Sequence, residues 1–547
     1  MNTTVRDTAG EPKITPYQSS QPVANDGFLQ LLRSEWTKFH TIRGWVIAMV
    51  AAAVLVGLPI VALGNTGKDN NSIPNQPIGP NGLAVTDSFY FQHRPIGADA
   101  TITARVTALT GHTLLPPNKG GFIPPGASQP QPWAKAGVIV KASTRAGSAY
   151  AAILVTPDHG VRFQYDFTHD VAGLSGPVSS AAPRWIRLTR AGDLITGYDS
   201  VNGRTWSTVG TVRLTGLPAT SQAGLLVASP TELYSVQQFA NNDGQPFATV
   251  ASAKFDRVAL TGAVPGGTWR DTQVGGASGS VEPLCGADTG RPCNAQAKQR
   301  HDVPGSASGS GGTVTLSGAG DIAPYIAIVD PIGLSYKGSL IGLIVVIALA
   351  ALFITSEYRR GMIRTTFTAS PRRGRVLVAK AIVIGSASFV AGLLGAAIAF
   401  PIAEHKVAEN GWPTSIYPIR AITSGAGLQL VIGTAALLAV GTVITLAIGA
   451  LLRRSAGTIA IGVLVLIFPL VLATVLPQGP ADLLLRLTPA AGFGLQQGNV
   501  HYSQVSSACL PYNGCYPLAP WTGFAVMCAW ALAGLVVAIL VARRRDA

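Results

Sequence analysis

The sequence predicts a membrane domain of six transmembrane helices with both termini cytoplasmic, interrupted by one extracellular all-β domain of sandwich or jelly-roll type. Three observations carry this prediction. Charged residues make up only 12% of the 547 and hydrophobic ones 48%, whereas a soluble domain is about one quarter charged. Six apolar runs are each long enough to cross roughly 30 Å of hydrocarbon as a helix. Basic residues crowd the flanks on one side of those runs, as cytoplasmic flanks do. The charge deficit excludes a wholly soluble or disordered chain, and 62 Gly with 37 Pro exclude a long coiled coil.

Residues 1–26 are polar and read as a disordered tail. In 27–44 (GFLQLLRSEWTKFHTIRG), helical spacing puts Phe28, Leu32, Trp36 and Phe39 on one face and Arg33, Glu35 and Lys38 away from it. With Asp26 as N-cap, this reads as an amphipathic helix lying at the inner interface, ahead of a plain basic flank that sets topology. The apolar runs are 45–63, 338–355, 376–403, 425–452, 455–476 and 521–542. A cleaved leader competes for the first, since Ala62 and Gly64 are small. The run is longer than such a region and begins well inside the chain, which favours an uncleaved anchor. Pro469 is expected to bend the fifth span, and Gly433, Gly441, Gly449 and Gly462 to permit close helix packing. Gln429, Thr434, Thr442 and Thr445 read as interhelical hydrogen-bonding groups before they read as a substrate route.

Orientation follows from Arg6, Lys13, Arg33, Lys38 and Arg43 before the first span and the seven basic residues from Arg359 to Lys380 after the second. Arg453 and Arg454 follow the fourth span, and Arg543 to Arg545 the last. These flanks hold 17 basic and 6 acidic residues, while the insert 64–336 holds 19 basic and 17 acidic. The net charge of +14 thus reports topology and contact with anionic lipid, and nucleic acid is not needed to explain it. Cys285 and Cys293 in the insert, and Cys509 and Cys515 in the outer loop 477–520, read as small-loop disulfides on the oxidising side. Zinc is the competing reading, but neither pair has a His or second Cys pair at ligand spacing. Cys528, inside a span, reads as a small packing residue. The apolar patch Leu483 to Leu487 before Pro489 suggests a short helix at the outer leaflet.

Within the insert, 64–82 and 303–320 read as Gly-rich and polar linkers. Between them, period-two runs such as TITARVTAL (101–109), AGVIVKAS (136–143), AYAAILVT (149–156), VRFQYDF (161–167) and RWIRLTR (184–190) alternate with turn residues. A hairpin turns at Asn202-Gly203, so the sheets are antiparallel. The acidic and His cluster Asp166, His169 and Asp170 reads as a solvated turn or a calcium contact, since a glycosidase needs two carboxyls across a cleft. Trp133, Tyr150, Tyr165, Trp185, Tyr198 and Trp206 read as core or cross-strand partners ahead of sugar platforms. The order of these strands over roughly 85–262 resembles the concanavalin-like (laminin-G-like) jelly rolls. That likeness implies fold and leaves activity open, with glycan or lipid as a ligand class for the outer domain.

Cytoplasmic 356–376 (SEYRRGMIRTTFTASPRRGRV) carries more arginine than topology requires, arranged around Glu357, Gly361 and Pro371. LLRSEWTKFHTIRGW before the first span, SEYRRGMIRTTFTASPRRGRVLVAKA after the second and LLLRLTPAAG in the last outer loop resemble the membrane subunits of bacterial type-2 ABC transporters, export-type permeases. The likeness covers 27–63 and 338–547. It implies that Glu357, Arg359, Arg360, Gly361, Arg372, Arg373 and Arg375 dock a separate cytoplasmic ATPase, and that the chain pairs with itself or a sister permease. The large insert departs from that family's usual short outer loop. No phosphate-binding G-x-x-x-x-G-K-[ST] loop occurs; Gly64 to Lys68 is too short and lies outside. Ion-coupled carriers keep charge near mid-membrane, whereas Lys380, Glu404 and His405 fall near span ends. The expectation is therefore a plasma-membrane transport subunit that is not itself an enzyme. It has no metal or bound cofactor of its own, ATP being held by the partner, and its substrate-binding residues are not specified. The alternative is a membrane-anchored, glycan-binding receptor or adhesion protein.

Overall fold

The computed structural model describes residues 27–57, 76–114, 127–238, 241–275, 305–326, 333, 336, 338–359, 361–362, 372–498, 502–505 and 516–544. The predicted tail 1–26, Asp26, the first part of the linker 64–82, Arg360, Cys285, Cys293, Cys509 and Cys515 lie outside them.

Among the described residues the helices are apolar on all sides, the pattern of helices buried in protein or lipid, except Phe28–Thr41 and Gln478–Leu487, which are amphipathic. The helices are α1 (Phe28–Thr41), α2 (Arg43–Gly57), α3 (Gly338–Arg359), α4 (Arg373–Glu409) and α5 (Gly425–Leu452), then α6 (Ser455–Leu466), α7 (Phe468–Ala473), α8 (Gln478–Leu487) and α9 (Pro520–Arg544). Five are long and apolar enough to cross a membrane: α3, α4, α5, α6 with α7, and α9. The pair α1 and α2, bent by 80°, makes a sixth if counted as one. The elbow falls at Ile42, whose extended backbone ends α1, so α1 lies nearly crosswise to α2. α1 is capped by Gly27 with no side-chain bond. The break between α6 and α7 falls at Ile467, with Pro469 in the first turn of α7, because proline cannot donate the hydrogen bond that would continue α6. The short helix expected near Leu483 is α8, followed by a tight helical turn over Pro489–Gln496.

Packing is close where residues are small. A Cβ on Gly392 would sit 2.9 Å from the Ala435 Cα, bringing α4 against α5. Several buried hydroxyls are satisfied between and within helices. Thr442 Oγ1 donates to Ser388 Oγ (2.9 Å), Gln496 Nε2 donates to Ser339 Oγ (2.8 Å) and Thr434 Oγ1 (3.2 Å), and Thr445 donates to its own helix at Gly441 O (2.9 Å).

Between α2 and α3 lies a two-sheet sandwich whose strands are numbered in chain order. One seven-stranded antiparallel sheet runs β10 (Ser207–Arg213), β9 (Leu194–Ser200), β8 (Arg184–Ala191), β3 (Asp99–Thr113), β14 (Thr249–Gly262), β17 (Thr313–Gly318), β16 (Ser306–Ser310). The other runs β15 (Arg270–Val274), β2 (Phe89–Ile96), β11 (Ser221–Ala228), β4 (Lys135–Lys141), β5 (Tyr150–Thr156), β6 (Gly160–Tyr165), β7 (His169–Ala172). β1 (Val85–Asp87) pairs with β18 (Ile322–Pro324), and β12 (Glu232–Gln238) with β13 (Asn241–Phe247). The expected hairpin at Asn202-Gly203 joins β9 to β10, with Gly203 left-handed (φ 72°).

β3 alternates as period two requires, burying Ala100, Ile102, Ala104 and Val106 toward the second sheet. β4 and β5 are buried on both faces, which alternation alone does not convey. Their far side, with Phe89, Phe91, Ile139, Tyr150 and Leu154, forms a second core with Val85 and Ile322 of the small β1/β18 sheet and with Phe167. The expected linker 303–320 is corrected. Its Ser, Thr and Gly pair as β16 and β17 on the edge of the first sheet, anchored by the fully buried Leu316, so the sandwich runs to Pro324 and past residue 262. Hydrogen bonds among the described residues that join the sandwich to the rest include Ala84 N–H to Ser415 O (2.8 Å) and Gln504 Nε2 to Phe167 O (3.5 Å).

Candidate functional site

The end of the bundle opposite the sandwich gathers α1, the close of α3 and the start of α4. α1 turns inward most of the face its apolar periodicity indicates, with Phe39 buried and Phe28 and Leu32 half-buried, and turns Glu35 in beside it. Glu35 and Phe39 are its buried residues, while Trp36 is half exposed and Leu29 mostly so. Phe39 packs on Trp45 and edge-on against Phe353. Glu35, expected to point away, instead faces the bundle because a cation waits there.

That cation is Lys380, completely buried on α4. Its Nζ lies 2.5 Å from Glu35 Oε2 and 2.6 Å from Glu357 Oε1, and 5.0 Å from the centre of the Phe353 ring. Lys38, half exposed, reaches Glu35 Oε1 at 2.7 Å and Glu357 Oε1 at 3.4 Å. Two carboxylates and two ammonium groups thus balance to zero in a place from which water is largely removed. Buried charge is tolerated when it is paired and hydrogen-bonded. Removing one partner strands the others, so the cluster fixes how three separate helices meet.

The seven residues expected to dock a partner divide accordingly. Glu357 is not a free surface carboxylate: it closes α3 and is buried within this cluster. Arg373 Nη1 donates to Ala542 O (2.9 Å), satisfying a carbonyl at the end of α9, where a cation also meets the negative end of the helix dipole. Arg359, Gly361, Arg372 and Arg375 are exposed at the close of α3 and the start of α4, and Gly361 sits left-handed at φ 67° just past the end of α3. The Arg453 guanidinium stacks over Tyr358, 5.0 Å from its ring centre. Sequence reading missed Glu35 and Lys380 as partners. The signal was a lysine inside an otherwise apolar run, with one glutamate in the inner flank of each of two other spans, Glu35 before the first and Glu357 after the second.

Beside this end, α2 and α4 enclose a groove of about 810 Å³ whose wall is almost wholly apolar, with Trp36, Phe39 and His40 of α1 at one end and Ile398 and Ile402 at the other.

In the sandwich, the polar groups are mostly committed to structure. Asp87 and Lys141 form a fully buried pair at 2.6 Å, with Gly147 N–H also donating to Asp87 (2.7 Å). Burial pushes the Asp87 carboxyl up and the Lys141 ammonium down, each opposed by its partner. Lys135 pairs with Asp321. Asp170 accepts from Arg162 and, at 3.0 Å, from Gln164. Asp166 and Phe167 are left-handed at φ 45° and 66°, and burial raises the Asp166 carboxyl. Among the described residues no group of three or more His, Cys, Asp and Glu is placed to hold a metal. The aromatic faces are largely taken: Trp133 stacks on His159 (3.7 Å), and Arg187 and Arg105 lie over Trp206 and Trp185 (3.8 and 5.6 Å).

No family model matches the chain, and no curated protein does. Solved structures similar to it include a functionally unknown protein from Saccharomyces cerevisiae (14% identity, 36% of this chain and 85% of that one, TM-score 0.21). Others are scytalido-glutamic peptidase with a transition state analog inhibitor (10%, 43% and 98%, TM-score 0.25) and the alginate lyase from Klebsiella pneumoniae (12%, 30% and 60%, TM-score 0.15). Likeness this distant assigns no activity to the sandwich.

Proposed function

We propose that the chain is the membrane-spanning permease subunit of an ATP-binding cassette exporter, moved by a separate cytoplasmic ATPase and working as a pair with itself or a sister permease. The observation that carries this reading is the end of the bundle opposite the sandwich. There a buried ionic cluster makes a firm base for α1, α3 and α4, and exposed Arg359, Arg372 and Arg375 lie at the end of α3 and the start of α4 that carry it. A partner can shift this chain's conformation only through contacts that differ between states, and a basic, rigid rim offers such contacts. The sequence holds no phosphate-binding loop of its own. Five long helices with hydrogen-bonded interiors also exceed what an anchor for a glycan-binding receptor requires.

The test is reversal of charge on the rim. With Arg359→Glu, Arg360→Glu and Arg372→Glu combined, co-purification of an ATPase encoded beside this chain is expected to fall at least about tenfold, since like-charge contacts at an interface cost several kcal/mol. Unchanged association refutes the docking assignment.

A further inference from the structure

We propose that Lys380 is a positioning residue for energy coupling: with Glu35, Glu357 and Lys38 it forms an ionic staple that makes α1 and the adjoining ends of α3 and α4 move as one body. The inference rests on the permease reading and adds what transmits the stroke within this chain. Glu357 is two residues before Arg359, so displacement of the exposed rim is felt at once by the staple. Lys380 passes it to Glu35 on α1, a helix with no side-chain cap and few other buried residues to hold it. α1 meets α2 through the 80° elbow at Ile42, and with α2 and α4 it walls the apolar groove, whose α4 side begins at Ser386, less than two turns beyond Lys380. A push on the rim therefore alters the end of that groove lined by α1 without any change inside the other helices.

The charges make the idea testable by exchange. Lys380→Glu alone leaves the four positions with a net charge of −2, and Glu35→Lys alone with +2, while the fourfold exchange Glu35→Lys, Lys38→Glu, Glu357→Lys and Lys380→Glu returns to zero with every contact again between opposite charges. In membranes containing the full chain and its ATPase, each single variant is expected to keep the ATPase bound but to lower the chain's effect on ATP hydrolysis at least about tenfold, with the fourfold exchange restoring most of it. Wild-type behaviour of the singles, or no recovery in the fourfold exchange, overturns the proposal. Amide hydrogen exchange supplies an arm that needs no partner: Glu35→Gln in the full chain is expected to raise exchange in α1 at least about tenfold and leave α5 unchanged. Unchanged exchange in α1 overturns the staple. If the unaltered chain binds no ATPase at all, the permease reading falls, and the exchange arm alone still decides whether the staple holds α1.

Discussion

A histidine in the sandwich shows how a single side chain ties stability to proton concentration. His93 is 5% exposed, its ring nitrogens 2.8 Å from Gln222 Oε1 and 2.9 Å from Thr272 Oγ1, and burial, the largest influence, lowers its proton affinity. The unfolded chain then binds a proton at higher pH than the folded one. Stability is complete above the ordinary histidine range near pH 6.5 and declines as pH falls through it. Thermal unfolding of the full chain in detergent, followed by β-sheet circular dichroism, should show its midpoint dropping between about pH 7.5 and 5.5, and His93→Gln should flatten that slope. An equal slope in the variant contradicts the assignment. His93 was not singled out by sequence, because its neighbours Gln222 and Thr272 are more than 120 residues away and nothing local marks the meeting.

Helices and strands differ in how much of them could be read in advance. The run 425–452 coincides with α5, since an unbroken apolar stretch bounded by Ser424 as cap and Arg453 as stop leaves little choice. α4 runs three residues earlier and six later than its apolar core, because polar ends extend a helix that lipid does not require. β16 and β17 escaped notice: a strand of Ser, Thr and Gly at a sheet edge buries little beyond Leu316, and only its partner β14 reveals it. Close packing also sits below the reach of composition. Gly392→Leu should wedge α4 from α5, since its first added carbon already meets backbone at 2.9 Å. Overpacking of this kind costs about 1–3 kcal/mol. A lowered unfolding temperature of the bundle in detergent checks it, and no change would place slack between these helices.

Across the whole molecule, charge and apolar surface divide the chain into a bundle carrying arginine at one end and a sandwich at the other, a division visible in the flanks of each apolar run. What the flanks could not show is that Glu35, Lys380 and Glu357, far apart in sequence, meet at one point, because ion pairing across helices depends on their rotation. The arginine count suggested a surface for a partner; the structure divides it into exposed Arg359, Arg372 and Arg375, and Arg373, turned inward to hold α9.

The pairing of Val85 with Pro324 and of Asp87 with Ile322 brings the first and last strands of the insert side by side, so the chain leaves and returns through neighbouring points. Geometrically, some 240 residues then ask no more of the helices than a short hairpin would, since loops closed at adjacent ends are replaced with little strain. Splicing residue 84 to residue 325 through a brief Gly-Ser bridge should leave a helical remnant that still assembles and still binds whatever engages its arginine face. Loss of the helical fold on such excision would mean that the bundle leans on its cargo of strands for support.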